Sequence, residues 1–286
     1  MARRRWLRPC CLYVKPLEMN GISLLLGLAA AAAVAAPAAQ PARQPVKPWM
    51  LDYGATACTA VRVYGDDAKP LTLGLRPSPD GRVVRLVLVK AGRRIDAEQR
   101  DVTVNLGAHE VKTTGLHFGS RDGKAELVWI NLTRADLEPL RAAPEIEIRD
   151  LGGSERFALP LIGKVLDSLD TCNEDLRRYW NVDGTGAVLS TMAAPVRPLA
   201  SYFSDSDYPT QSLRQEDSGR SVVVVMVDET GAPKDCLVQE TSGIAALDAM
   251  TCLVLQERAK FHPALDAAGK PARSVLIQPV VWRMTP

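Results

Sequence analysis

The chain has 286 residues, room for about two domains of ordinary size. Hydrophobic residues make up 47% and charged residues 24%, the balance of a globular protein, which excludes wholesale disorder. The formal net charge of +2 is unevenly placed: residues 1–36 carry Arg3, Arg4, Arg5, Arg8 and Lys15 against Glu18. The remainder is therefore net acidic, and a nucleic-acid partner has no electrostatic support.

The chain opens as a targeting segment does. Basic residues precede an uncharged run from Gly21 to Ala36, and small residues at Ala33, Ala35, Ala36 and Ala38 offer A-x-A cleavage sites. Pro37 disfavours a cut directly after Ala36, so Ala35 or Ala38 is the expected boundary. A start at Met19 would give a leader of ordinary length. The alternative is an uncleaved anchor in the inner membrane, but the run is short and mostly alanine, which drives insertion weakly. The expectation is an exported, periplasmic protein. Residues 37–47, rich in Pro, Ala and Gln, read as a disordered spacer.

From about residue 48 to 180, short alternating segments predict a mostly antiparallel β domain. They are 60–64, 71–75, 83–89, 102–106, 126–130 and 145–148, separated by turn clusters such as Pro77-Ser78-Pro79-Asp80-Gly81. Trp129 in the fifth is expected in the core. A helix closes the domain: Val165, Leu169, Cys172, Leu176 and Trp180 share one face. Trp49 with Cys58, and Leu159-Pro160-Leu161-Ile162-Gly163 ahead of Cys172, give this region a weak similarity to bacterial proteins of the invasion-associated locus B type. Residues 181–204, with Gly184, Gly186, Pro195 and Pro198 and no sustained period, read as a linker.

Residues 205–286 predict a smaller unit, so the whole reads as α+β. The valine-rich run from Arg220 to Val227 should be a central strand buried on both faces. A turn at Asp228-Glu229-Thr230-Gly231 leads to a second strand, about 234–240. Ser242 is the expected N-cap of a helix, with Gly243 giving it room to pack. Leu247, Met250, Val254 and Phe261 should face inward, widened by Ala245, Ala249 and Leu255, and Pro263 should end the helix. A third strand, about 274–284, contains Pro279, which places it at an edge. Its residues Ser274, Val275, Leu276, Ile277 and Gln278 are the candidate partner-binding edge.

Outside the leader, which holds Cys10 and Cys11, four cysteines allow three pairings. Export favours bridges, and the domain split selects Cys58–Cys172 and Cys236–Cys252 over free thiols. A redox role for the second pair has little support, because Asp235 offsets Lys234 beside Cys236.

Tyr208-Pro209, Gly219, Val227, Gly231, Ser242-Gly243, Leu247-Asp248, Phe261, Pro263, Gly269 and Pro271 follow one another as in the C-terminal domain of TonB energy transducers, which this segment resembles. The resemblance implies capture of a short periplasmic segment of an outer-membrane receptor, in service of energy-coupled transport. Other parts of a transducer are missing. Ser23 has no histidine in the apolar run, since the first is His109, and no long Pro-Glu and Pro-Lys spacer is present. A folded domain of about 14 Å radius of gyration stands there instead. An envelope adaptor for another periplasmic protein or the cell wall, without motor coupling, is the competing reading.

Catalytic and cofactor signatures are lacking. His109, His117 and His262 are scattered without ligand spacing and are expected to be solvated or locally bonded. Gly-x-Ser-x-Gly, P-loop and dinucleotide patterns are absent. Ser204-Asp205-Ser206-Asp207 lacks the glycine and glutamate of a calcium loop and reads as a solvated lead-in. No enzyme, cofactor, metal or nucleic-acid partner is expected.

Overall fold

A computed structural model describes residues 41–284, apart from 67, 94, 96, 121, 151 and 152. The targeting segment lies outside the described residues. Residues 40–286 form one compact unit. No helix among the described residues is long and apolar enough to cross a membrane.

The first region is a nine-stranded antiparallel sheet. Its strands are β1 (Met50–Tyr53), β2 (Cys58–Tyr64), β3 (Leu71–Pro77), β4 (Val83–Ala91), β5 (Glu98–Leu106), β6 (His109–Gly119), β7 (Ala125–Thr133), β8 (Glu145–Asp150) and β9 (Gly153–Ala158). Their spatial order is β1-β2-β3-β4-β7-β6-β5-β8-β9. Two helices join it, α1 (Arg134–Ala142) and α2 (Ile162–Tyr179). Alternation puts Leu73, Leu75, Leu86, Val104, Ile130 and Leu132 into one core, and α2 adds Val165, Leu166, Leu169 and Leu176. Trp129 is only partly buried, stacked edge-on against Phe118 and beneath the Arg85 guanidinium rather than within that core.

The supposed spacer is ordered where it is described. Arg43 N donates to Arg156 O at 2.8 Å and Ala158 N donates to Arg43 O at 3.0 Å, so this segment continues the sheet past β9. Three residues on, Val46 N donates to Val63 O at 3.0 Å on β2. The segment thus ties the two ends of the sheet together. Tyr64 and Phe157 meet edge-to-face beneath the seam, 5.0 Å between ring centroids. Cys58 and Cys172 are joined by a disulfide between β2 and α2, with Cα atoms 6.1 Å apart.

The segment between the two regions is also structured. It carries β10 (Leu189–Thr191) and β11 (Ala194–Pro195), and a short helix α3 (Thr210–Arg214) follows. Next come β12 (Gly219–Val227), β13 (Pro233–Glu240), α4 (Ala245–Arg258), β14 (Phe261–His262), β15 (Ala264–Asp266), β16 (Pro271–Ala272) and β17 (Ser274–Trp282). β10 pairs with β15, and β11 with β14, so residues before the second sheet are bonded to residues after α4. A second sheet has the order β13-β12-β17, antiparallel throughout, with β12 in the middle.

The two faces of β12 serve different cores. Val223, Val225 and Val227 pack with Val254, Leu255 and Phe261, whereas Val224 and Met226 join the core of the first region, as does Val275. Polar contacts seal that junction. Arg76 pairs with Asp235, Gln239 Nε2 donates to Asp80 at 2.6 Å, and the Gln99 amide bonds both Gly243 O and Ala245 N. Arg85 is buried nearby; desolvation pushes its guanidinium down to about 10, with Arg76 adding repulsion.

Candidate binding edge

The second sheet is built by its valines and punctuated by its turns. Seven of the nine residues of β12, Ser221 to Val227, are buried and alternate between two covered faces, which accounts for a valine run without an exposed polar side. At its end, burial raises the Asp228 carboxyl, but Thr230, Lys234 and backbone donors outweigh this and hold it at about 2. Gly231 takes a φ of 80°, and a Cβ there would stand 2.0 Å from Phe261 O. The turn therefore needs glycine both for its backbone and for contact with β14.

Several expected positions lie elsewhere. The N-cap of α4 is Ile244, not Ser242, whose hydroxyl accepts from Ile244 N at 3.1 Å in a tight local turn. Gly243 has a φ of 84° with open space around a Cβ, so conformation and not close packing selects it. The helix ends at Arg258, and Phe261 is a buried residue of β14. Pro263 follows β14 rather than stopping the helix.

Asp248 is buried on the first turns of α4, where it accepts from Ser242 N at 2.9 Å and from the Thr241 hydroxyl. Desolvation raises its carboxyl above the usual range despite those donors. Leu247 beside it is fully buried. One helical turn on, Thr251 Oγ1 accepts from Trp282 Nε1 at 2.8 Å, anchoring the end of β17 to the helix. Tyr208 and Phe203 pack edge-on against the same indole at 5.3 and 5.4 Å, and the Tyr208 hydroxyl donates to Asp217 O. Pro209 immediately precedes α3. The Cys236–Cys252 disulfide ties β13 to α4 on this side, spanning 16 positions.

Asp207 is not a solvated lead-in. It is buried, and Arg258 donates to both its oxygens at 2.6 and 2.7 Å. Arg258, then Ser204, hold its carboxyl at about 2 in spite of desolvation. Thr251, Trp282 and this ion pair were not singled out by sequence reading. The spacing of Leu247 and Thr251 on one helical face is the signal that could have found the first.

β17 pairs with β12 from Ser274 to Trp282, and no other described strand lies on its far side. The candidate edge residues fall into two groups. Ser274 and Val275 are buried, Leu276 and Gln278 are half-buried, and Ile277 is 42% exposed. Pro279 and Val281 continue the exposed row, Val281 at 50%. Arg273, just before β17, is held at the end of α2. Asn181 Nδ2 donates to Arg273 O at 2.7 Å, and the Arg273 guanidinium lies 4.0 Å over the Tyr179 ring. Pro279 has no N–H to give, which a strand tolerates where that group would face outward. Ile277 and Val281 share its parity, so their N–H groups point the same way.

A central buried strand, a disulfide-tied helix and two edge strands, β13 and β17, lie within a single segment of sequence. Residues 204–284 match the family model of the Gram-negative bacterial TonB protein C-terminal. This segment is similar to the C-terminal domain of TonB proteins. No curated protein and no solved structure shows significant similarity to the chain. The TonB-type segment takes in β12, β13, α4 and β17 together with Tyr208, Asp207 and Trp282. His109 is bonded to Asp136 at 2.9 Å, and buried His117 faces Glu126 at 3.4 Å. Among the described residues no group of three or more His, Cys, Asp or Glu side chains could hold a metal ion.

Proposed function

We propose that this is an exported, periplasmic binding protein whose TonB-type domain captures an extended segment of an outer-membrane receptor by pairing it with β17, in support of energy-coupled transport. The observation that carries this reading is the one-sided pairing of β17, nine residues long and bonded only to β12. Main-chain groups on a free edge recognise an incoming strand with little demand on its sequence. The exposed part runs from Ile277 to Val281, whereas Ser274 and Val275 are buried and Arg273, just before them, is held by Asn181. Exposed Ile277 and Val281 offer apolar contacts beside the backbone. The role is binding rather than catalysis, with no cofactor.

A second reading, an envelope adaptor for another periplasmic protein or the cell wall without motor coupling, is favoured by one observation. The TonB-type sheet shares a core with the first region, in one compact unit spanning residues 40–286. Such a unit has no long internal spacer with which to follow a moving partner.

Ile277→Pro tests the shared mechanism. It removes one outward N–H, so binding of receptor peptides should fall sharply while circular dichroism remains that of the folded protein. Undiminished binding by the folded variant would sink strand addition. Recovery of outer-membrane receptors from envelope extracts by the exported protein supports the first reading, and recovery of wall-associated or soluble periplasmic proteins supports the second.

A further inference from the structure

A cleft of about 1030 Å³ lies between the β3–β4 turn, the start of α1 and the outer face of α2. It is far in sequence from β17 and belongs to the first region. Four arginines line it: Arg82 from the turn, Arg134 at the first position of α1, and Arg177 and Arg178 from the last turn of α2. Outside residues 1–36 the chain is net acidic, so this concentration of positive charge is local.

Two of the guanidinium groups converge from different elements. A Cβ placed on Gly81 would be 3.5 Å from Arg134 Nη1 and 3.8 Å from Arg177 Nη1. Arg177 is fixed in place, donating to Asp80 O at 3.0 Å and pairing with Asp183 at 3.1 Å. Arg134 makes no ion pair among the described residues. Arg82 reaches only Asp80, at 3.8 Å, and its side chain is 67% exposed. Arg178 is neutralised locally by Asp175 at 3.1 Å and Glu174 at 3.9 Å.

The acids of the cleft have partners of their own. The Asp80 carboxylate is buried and already accepts from Ser78 Oγ at 2.5 Å and Gln239 at 2.6 Å. Asp170 is taken by Arg141 at 2.7 Å. Glu174 is exposed beside Arg178. The amino end of α1 adds little, since the Asp136 carboxylate closes it by accepting from Thr133 N at 2.8 Å. Arg134 has no acidic partner among the described residues, Arg82 keeps only its long approach to Asp80, and Arg177, paired with Asp183, is held beside Arg134, so an anion would draw the three guanidinium groups together. Planar forks of this kind match phosphate oxygens pairwise.

We propose that this cleft binds a ligand carrying two linked phosphate groups, gripped by Arg134 and Arg177 with Arg82 closing from the turn. The diphosphate could belong to a soluble molecule or to a lipid headgroup. The chemistry recognised is the same in both.

The test is calorimetric titration of the mature protein with inorganic pyrophosphate, repeated with Arg134→Glu and Arg82→Glu. Neither side chain holds a structural contact beyond the long Arg82–Asp80 approach, so both variants should keep the wild-type melting temperature. Arg283→Glu, the same charge reversal at an exposed site on the far end of the chain, is the control. Saturable binding is expected, weakened at least about tenfold in either cleft variant and less than about twofold in the control. Sedimentation with vesicles that contain a lipid diphosphate assigns the source, since a headgroup ligand brings the protein down and a soluble ligand does not. Absence of saturable binding would overturn the proposal, as would equal loss in the control, which would mean diffuse electrostatics on a solvated face.

Discussion

The two sheets deal with their edges in opposite ways. The nine-stranded sheet is tied end to end by Arg43 and Val46, and its remaining edge strand, β1, has only four residues. The three-stranded sheet leaves the outer side of a nine-residue strand without a strand partner among the described residues. Long free edges are a hazard that most proteins cover. Closing one sheet and leaving another open separates a stable support from the proposed partner surface. The shared core through Val224, Met226 and Val275 then fixes the open edge on that support.

The largest test of this contrast is removal of the disulfides. Cys58–Cys172 spans 114 positions and Cys236–Cys252 spans 16. In the chain-entropy description, serine pairs at the first should cost about 4–5 kcal/mol and at the second about 3 kcal/mol. Denaturant titration measures both. Equal losses would mean that closing the first sheet does not depend on its longer loop.

Next in size is the junction. Met226 is fully buried in the core shared with the first region, so Met226→Ala should cost about 2–5 kcal/mol. Fluorescence of the first region and of Trp282 should still report one common transition. Separate transitions would show that the sheets are independent. At the same junction, a double-mutant cycle on Arg76 and Asp235 should give a coupling of about 1 kcal/mol, since both side chains keep some solvent contact.

A further effect concerns acid. Arg258 holds the folded Asp207 carboxyl at about 2, below its usual value near 3.8. A depressed carboxyl contributes stability above the unfolded value and loses it as pH falls through the folded one. The Asp207 contribution should therefore be complete above about pH 4 and fade toward pH 2. Arg258→Ala should flatten that part of the stability profile. An unchanged profile would remove the ion pair from the account.

Much of this architecture was legible because alternation and helical stripes survive wherever a face is buried. β2, β3, β4, β5, β7 and β8 follow from such runs, and α2 from its apolar stripe. β6 was hidden because Lys112, Thr113 and Thr114 break its alternation, and β9 because Phe157 is its lone buried side chain. Pro139 inside nine residues masked α1. The seam at residues 43–46 was illegible, since main-chain pairing leaves no mark on Arg-Gln-Pro. At the candidate edge, Pro279 announced the strand's position, but nothing in the sequence said that Asn181, just past α2, would hold Arg273 ahead of it. That contact depends on Asn181 meeting a carbonyl 92 positions away.

Amide hydrogen exchange, recorded with and without a synthetic peptide from the periplasmic segment of an outer-membrane receptor, tests the central claim most directly. The peptide should slow exchange at Ile277 and Val281, whose N–H groups face outward, and leave β1 unchanged. New protection at Met50–Tyr53, or none anywhere in β17 when the peptide is bound, would contradict it.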